Sequence, residues 1–261
     1  MSEPALFVAD GDAFVPTDHS RGPWDPEALH GGPVAALLAR AVDQHEVDPD
    51  HPVRVARMTL ELLRPVPVKP LSLVTRTVRP GRKVQLVETT IAADEQPLSR
   101  MLALRIRSDS IEVPDGAPGE VPPPVESATK QGLGRDWGWP GFHNAVELRY
   151  VKGAMGEPGP ATVWIRLNVP VLEGEAPTPL IRLAAASDFG NGVSSHLAWD
   201  THLFINPDLT IYVNRPPEGE WVCLDAFTYY GPDGIALAES ALYDTRGRIG
   251  RAVQALLVDR R

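Results

Sequence analysis

Cysteine is nearly absent from this sequence, and its scarcity excludes several classes of protein. Cys223 is the only cysteine in 261 residues, so no intrachain disulfide can form, and the sequence contains no Cys–His cluster of the kind that binds zinc. It lies in the strand-like run Trp221 to Leu224, where a buried, inert thiol is expected rather than a nucleophile. The first twelve residues lack the apolar core of a signal peptide, and no stretch approaches the roughly 18 apolar residues of a membrane helix. We therefore expect a cytoplasmic protein without a membrane span.

An excess of basic charge is also missing. The chain has 25 Lys and Arg against 34 Asp and Glu, a formal net charge of -9. A nucleic-acid partner needs a basic face and is not expected, whereas a small anionic ligand needs only a local basic patch. The seven histidines are scattered without metal-ligand spacing. A nucleophile elbow, a phosphate-binding loop and a dinucleotide fingerprint are all missing, so we expect no metal, no cofactor and no α/β-hydrolase triad.

Proline and glycine are abundant, with 27 and 22 residues. They cluster at the breaks between short apolar runs, a pattern typical of many strands joined by turns. The densest cluster, from Pro114 to Pro124, follows a strand-like run and indicates a linker. We predict an N-terminal domain of residues 1–113, a linker of residues 114–140 and a C-terminal domain of residues 141–261.

The two predicted domains share one order of elements. In each, one or two strand-like runs lead to a helix, and four strand-like runs follow it. The first helix is predicted from Gly31-Gly32-Pro33 to about Gln44, and the second from Pro179 to Phe189, ended by Gly190-Asn191-Gly192. The following runs are Val53 to Leu63, Leu71 to Val78, Lys83 to Ala92 and Leu98 to Arg107, then Leu203 to Asn214, Trp221 to Tyr230, Ile235 to Tyr243 and Gly250 to Val258. Their links are too short for crossover helices, so the pairing must be antiparallel. We predict an α+β fold with two antiparallel sheets, each wrapped around a central helix; two unrelated α+β domains are the alternative.

Three polar residues of the second domain are candidates for positioning a water molecule. Asp188 follows a run of small residues at a helix end, where a partly desolvated carboxylate could act as a general base. The alternatives are an exposed carboxylate in the last helical turn and one that bonds the loop at Asn191. Gln254 interrupts an apolar strand and, once buried, needs a partner such as a water beside Asp188 or a backbone group. Asn206 lies on the polar face of its strand, so an exposed structural role is equally compatible.

The start of the first helix supplies further candidates. Gly31 and Gly32 place backbone N–H groups at a helix N-terminus, where they could bind a carbonyl oxygen or an anionic group. His30 precedes them and is a candidate ligand contact, although such a residue more often caps a helix or packs. Glycine pairs before helices are common, so this pattern carries modest weight.

Four segments together resemble the acyl-CoA thioesterase II family. They are His30-Gly31-Gly32, Ala185 to Asp188, the run Asp208 to Trp221 containing Asn214-Arg215-Pro216, and the last hairpin with Asp244, Gly247 and Gln254. The resemblance covers nearly the whole chain and implies a double hotdog fold. It also implies hydrolysis of acyl-CoA to free fatty acid and CoA by a directly attacking water, without a covalent acyl-enzyme. The family holds that water with an aspartate, a threonine or serine, and a glutamine, which places the site at Asp188, Asn206 and Gln254. Asn206 departs from the family hydroxyl, although an amide can also donate and accept hydrogen bonds.

The implied acyl-CoA substrate carries phosphates, so a basic rim is expected. Arg79-Pro80-Gly81-Arg82-Lys83 forms a compact cationic turn, and Arg64 ends the preceding strand. Arg79 and Arg82 are the candidate substrate contacts; a solvated turn is an equally good explanation.

Two other functions stay open. A hotdog hydratase or dehydratase acting on enoyl- or hydroxyacyl-CoA needs a histidine and an acid around one carbon, and His30 is the candidate histidine. A non-catalytic acyl-CoA-binding module would fit the departure at Asn206. The sequence does not determine the acyl chain, and a homo-oligomer is expected only by analogy with hotdog proteins that pair their sheets.

Overall fold

The computed structural model of the protein describes residues 4–112, 121–131 and 138–261. The first half contains a strand hairpin, one helix and four long strands. Their bounds are β1 Phe7–Asp10, β2 Ala13–Pro16, α1 Gly31–Gln44, β3 Val53–Leu62, β4 Ser72–Arg79, β5 Val84–Ala93 and β6 Gln96–Arg107. The second half contains three strands, two helices and five more strands. Their bounds are β7 Thr129–Gln131, β8 Val146–Lys152, β9 Ala161–Leu167, α2 Pro179–Ser187, α3 Gly190–Ser194, β10 His202–Ile205, β11 Asp208–Val213, β12 Trp221–Tyr230, β13 Ile235–Asp244 and β14 Gly247–Arg260.

All the long strands belong to one antiparallel sheet. Its twelve strands run in the order β4-β5-β6-β3-β11-β14-β13-β12-β9-β8-β7, with β10 also paired to β14. The two halves meet where β3 pairs with β11, from Asp208 opposite Glu61 to Tyr212 opposite Arg57. The two groups of strands expected from the sequence are therefore hydrogen-bonded edge to edge. No helix within the described ranges is long and apolar enough to cross a membrane.

Most of helix α1 is buried in the apolar core. It packs against β4, β5 and β6 on one side and against α2 on the other. Every residue from Gly32 to Ala39 is buried, which is the pattern of a helix enclosed on all sides rather than of one with a single apolar stripe. A Cβ atom on Gly32 would lie 3.0 Å from the carbonyl oxygen of Ala185, so glycine permits the close approach of the two helices.

The second helix differs from the prediction at its end. Helix α2 stops at Ser187, but Gly190-Asn191-Gly192 begins the short helix α3 instead of ending helical structure. The side-chain oxygen of Gln254 accepts a hydrogen bond from the backbone N–H of Asn191 at 3.2 Å and so satisfies a donor at the start of α3. A buried side chain from a distant strand supplies this contact, and nothing in the local sequence shows it.

The run Leu203 to Asn214, predicted as one strand, is broken into β10 and β11 at Asn206-Pro207. Pro207 has no N–H to donate to a neighbouring strand, although its carbonyl oxygen accepts a bond from Leu62 N–H at 2.8 Å. The break places Asn206 at a corner of the sheet, where its side chain leaves the regular alternation of the strand.

Part of the segment predicted as a linker packs on the outer face of the second half. Strand β7 pairs with β8, and Val125 packs with Trp164 and Cys223. The indole N–H of Trp164 donates to the carbonyl oxygen of Pro123 at 3.1 Å. Cys223 is fully buried, and burial raises the pKa of its thiol, in keeping with the inert cysteine expected from the sequence.

Candidate active site

Asp188 occupies the junction of the two halves. It follows α2 directly and is only 4% exposed. The start of α1, from the other half, lies against its carboxylate. A Cβ atom on Gly31 would lie 2.6 and 2.7 Å from the two carboxylate oxygens, which is closer than real Cβ atoms come. Glycine at position 31 therefore makes room for the carboxylate.

Two side-chain amides bind the same oxygen of Asp188. Asn206 donates from Nδ2 to Oδ1 at 2.9 Å and also to the carbonyl oxygen of Asp208 at 3.2 Å. Gln254 donates from Nε2 to Oδ1 at 3.3 Å, while its own oxygen accepts from Asn191 N–H. The structure thus brings together Asp188, Asn206 and Gln254, the three residues singled out in the sequence.

His30 contacts the other oxygen of Asp188. Its Nδ1 lies 2.8 Å from Oδ2, and the backbone N–H of Gly32 donates to the same Nδ1 at 3.0 Å. A ring nitrogen carries either a lone pair or a proton, so these two contacts compete. The imidazole ring is held between Phe142 and Phe189, with ring centres 5.0 and 5.2 Å away.

These groups face a cavity of about 420 Å³. Its polar lining includes His30, Asp188 and Asn206, but not Gln254, which is 1% exposed and lies behind Asp188. Apolar and aromatic side chains form much of the wall: Trp24, Val34, Leu62, Val66, Met155, Phe189 and Trp199. A mainly apolar cavity with a few converging polar groups is the usual form of a small-molecule site.

The mouth of the cavity is marked by apolar residues that line it and are also exposed. Leu63 is 51% exposed, Ile205 38% and Leu257 59%. Trp24, another wall residue, stacks on Trp199 with ring centres 4.6 Å apart. An acyl chain could therefore enter past an apolar rim and continue along aromatic walls.

The predicted basic contacts lie elsewhere. Neither Arg79 nor Arg82, at the turn between β4 and β5, lines the cavity, whereas Arg64 does. Gly31 lines the cavity, but the N–H of Gly32 is used by His30. Trp199 lines the cavity but was not among the residues predicted from the sequence. The sequence marks it only as a tryptophan within a polar loop.

A second carboxylate, that of Asp208, is held close to the site without lining the cavity. Burial raises its pKa, partly offset by a hydrogen bond that Oδ1 accepts from Ala255 N–H at 2.7 Å. This bond fastens β11 to β14, the strand that carries Gln254. In the described parts of the chain, no group of His, Cys, Asp and Glu could hold a metal ion.

Comparison with protein families covers both halves. The acyl-CoA thioesterase N-terminal domain matches residues 20–106, and the acyl-CoA thioesterase C-terminal domain matches residues 118–258. The chain belongs to the acyl-CoA thioesterase family. Membership makes it a thioester hydrolase, and the cavity described above is its candidate active site. A search of the curated proteins found no significant match.

Solved structures agree with the family on the fold. A proposed thioesterase II from Thermobifida fusca YX is 18% identical, with a TM-score of 0.74 over 100% of both chains. A hot dog fold protein of unknown function from Alicyclobacillus acidocaldarius is 17% identical, with a TM-score of 0.73 over 97% of this chain and 95% of that one. An acyl-CoA thioesterase II from Mycobacterium marinum is 19% identical, with a TM-score of 0.65 over 90% of each chain. This thioesterase therefore has a hotdog fold.

Proposed function

We propose that this thioesterase hydrolyses acyl-CoA to a free fatty acid and CoA by direct attack of water, with Asp188 as the base. The observation that carries the proposal is a buried carboxylate facing an apolar cavity, with its two oxygens fixed by the side chains of Asn206, Gln254 and His30. Fixing a base in advance lowers the entropic cost of reaching the transition state. The corresponding architecture is a double hotdog, with units of residues 1–113 and 141–261 joined by residues 114–140.

Asn206 and Gln254 have different parts in this proposal. Asn206 lines the cavity and spends its N–H groups on Asp188 and Asp208, so its side-chain oxygen can accept a hydrogen bond from the attacking water. The Gln254 amide is bound at both ends: its oxygen accepts from Asn191 N–H, and its nitrogen donates to the Asp188 carboxylate. Gln254 is therefore a positioning residue that orients the carboxylate, and it does not hold the water itself.

The reaction balances with these groups alone. The water oxygen bonds to the acyl carbon while Asp188 takes a water proton, and the carbon–sulfur bond then breaks. The proton passes from Asp188 to the departing thiolate, which leaves as CoA. The first N–H groups of a helix have no partner within the helix, so the N–H of Gly31 is the proposed donor to the developing oxyanion.

The test is release of free thiol from acyl-CoAs of several chain lengths. Asp188→Asn keeps the shape of the side chain but removes the base, and we expect kcat to fall by roughly 10²- to 10⁴-fold. Asp208→Asn is the matched control, because an amide oxygen can still accept from Ala255 and the residue does not line the cavity. A variant at Asp188 that keeps most of its kcat contradicts the proposal.

The contact between His30 and Asp188 favours a second candidate, hydration or dehydration of enoyl- or hydroxyacyl-CoA. That chemistry needs a histidine and an acid around one carbon. His30 Nδ1 and Asp188 Oδ2 lie 2.8 Å apart at the cavity wall. Incubation with crotonyl-CoA separates the candidates. Addition of water to the double bond without thiol release supports the second candidate, and thiol release alone supports the first.

A further inference from the structure

Two arginines, one lining the cavity and one in contact with a wall residue, are not explained by hydrolysis. Arg64 follows the exposed Leu63 and lines the cavity. Arg261 holds the central carbon of its guanidinium group 5.1 Å from the centre of the Trp24 ring, and Trp24 lines the same cavity. Both arginines are exposed to solvent.

The positive charge of these arginines is not neutralised by carboxylate side chains. Elsewhere on the surface, Arg76, Arg100 and Arg246 form ion pairs with glutamates. Within the described ranges no side-chain carboxylate lies within ion-pair distance of Arg64 or Arg261. The carboxylates that line the cavity are Asp188 and Asp25, and Asp25 accepts the backbone N–H of Glu27 at 2.9 Å. In a chain of net charge -9, two exposed guanidinium groups beside one cavity, neither paired with a described carboxylate side chain, favour an anionic ligand there.

We propose that Arg64 and Arg261 bind the phosphate groups of the CoA part of the substrate, a proposal that rests on the proposed function. The planar guanidinium group offers paired N–H donors that match phosphate oxygens. The apolar rim of Leu63, Ile205 and Leu257 lies beside them and suits the uncharged arm that joins the phosphates to the thioester. The arm would lead from the arginines over this rim to Asp188, so binding at the mouth positions the carbonyl carbon inside.

The experiment compares two thioesters that carry the same acyl group. One is acyl-CoA, and the other is the acyl-pantetheine thioester, which has no phosphate. For Arg64→Ala and Arg261→Ala we expect the KM for acyl-CoA to rise by roughly tenfold each, the loss expected for one charge-assisted hydrogen bond, with kcat little changed. The kinetics with acyl-pantetheine should stay as in the unaltered protein. Arg248→Ala, which removes an exposed arginine that does not line the cavity, is the charge-matched control.

Three outcomes overturn the proposal. Equal losses with both thioesters indicate a structural role for the arginines. A rise in KM for acyl-CoA in Arg82→Ala, with none in Arg64→Ala, places the phosphates at the β4–β5 turn instead. If the unaltered protein hydrolyses neither thioester, the proposed function fails, and calorimetric titration with free CoA then tests the site by itself. Weaker CoA binding in Arg64→Ala than in Arg248→Ala supports the site, and equal or undetectable binding overturns it.

Discussion

At the scale of single residues, Gly31 is needed to leave space for a neighbouring side chain, and not for its backbone conformation. Its missing side chain leaves space for Asp188, since an added Cβ would lie 2.6 Å from a carboxylate oxygen. Gly31→Ala should therefore shift the carboxylate or the start of α1. We expect kcat/KM for acyl-CoA to fall by about 10²-fold, the cost of misplacing a catalytic group by an ångström. Displacing this buried, hydrogen-bonded group also costs stability, so we expect the free energy of unfolding to fall by about 1–3 kcal/mol.

The matched control for Gly31→Ala is Gly192→Ala. Gly192 also lines the cavity, but its added Cβ would meet Trp199 at 3.8 Å, an ordinary contact distance. We expect kcat/KM to stay within about threefold of the original value, less than 1 kcal/mol. Equal activity in the two variants would show that the carboxylate adapts to a side chain at position 31.

The polar residues of the site could be predicted from the sequence more readily than their contacts. Gln254 stands out in an apolar strand, and Asp188 follows a run of small residues, so both attract attention as groups that need partners. The contact of Asp188 with His30 and Gly31 joins residues from opposite halves of the chain. Local pattern carries no information about such contacts, so it could not show whether the glycines bind a ligand or make room for a carboxylate.

At the scale of secondary-structure elements, Asp244 fastens two turns of the second half together. It is fully buried and accepts hydrogen bonds from Arg215 at 2.6 Å, Glu218 N–H at 2.9 Å and Arg246 N–H at 2.8 Å. Burial by itself would raise the pKa of this carboxyl, but the hydrogen bonds from Arg215 and the two backbone groups outweigh it and lower the pKa. A lowered pKa means that the ionised form stabilises the fold above the usual aspartate pKa of about 3.9.

We expect Asp244→Asn to lower the free energy of unfolding at pH 7 by about 3–5 kcal/mol, because it leaves the guanidinium group of Arg215 without its partner. The stabilising effect of Asp244 is lost as the pH falls below about 4 and through the folded-state pKa, so the two proteins should converge there. Urea unfolding at pH 7, 5 and 3 measures the difference. Glu218→Gln removes an exposed ion pair with Arg246 and should cost less than about 1 kcal/mol. A difference between the Asp244 variant and the original protein that stays constant with pH would contradict the assignment.

Most elements could be predicted from apolar periodicity and turn residues, and the exceptions have specific physical causes. The two breaks that build the site escaped prediction: the start of α3 and the corner at Asn206-Pro207. Gly190-Asn191-Gly192 looks like a helix stop until Gln254 supplies a partner from β14. Pro207 looks tolerable in an edge strand, yet here the strand lies between two others, so the missing N–H breaks it.

At the scale of the whole molecule, the two halves share one sheet, one large apolar cluster and the cavity of the candidate site. The pairing of β3 with β11 makes the sheet continuous, and one apolar cluster includes Leu37 from α1 and Leu224 from β12. Arg40 of α1 also forms two hydrogen bonds of 2.6 Å with Glu175, which precedes α2. Contacts of this extent between halves favour cooperative unfolding of the chain as a single unit.

The corresponding prediction truncates a buried side chain in one half and asks whether the other half is destabilised equally. Leu37 is fully buried in the first half, so Leu37→Ala should lower the free energy of unfolding by about 2–5 kcal/mol. If the halves unfold together, Leu37→Ala lowers the urea midpoint equally in both halves. Amide hydrogen exchange at increasing urea concentration measures the midpoint for β5 in the first half and for β12 in the second. Val74→Ala, at a side chain 64% exposed in the same half, should change stability by no more than about 0.5 kcal/mol. Two separate transitions, with the midpoint of β12 unmoved by Leu37→Ala, would show instead that each half folds by itself and that the shared sheet forms by docking.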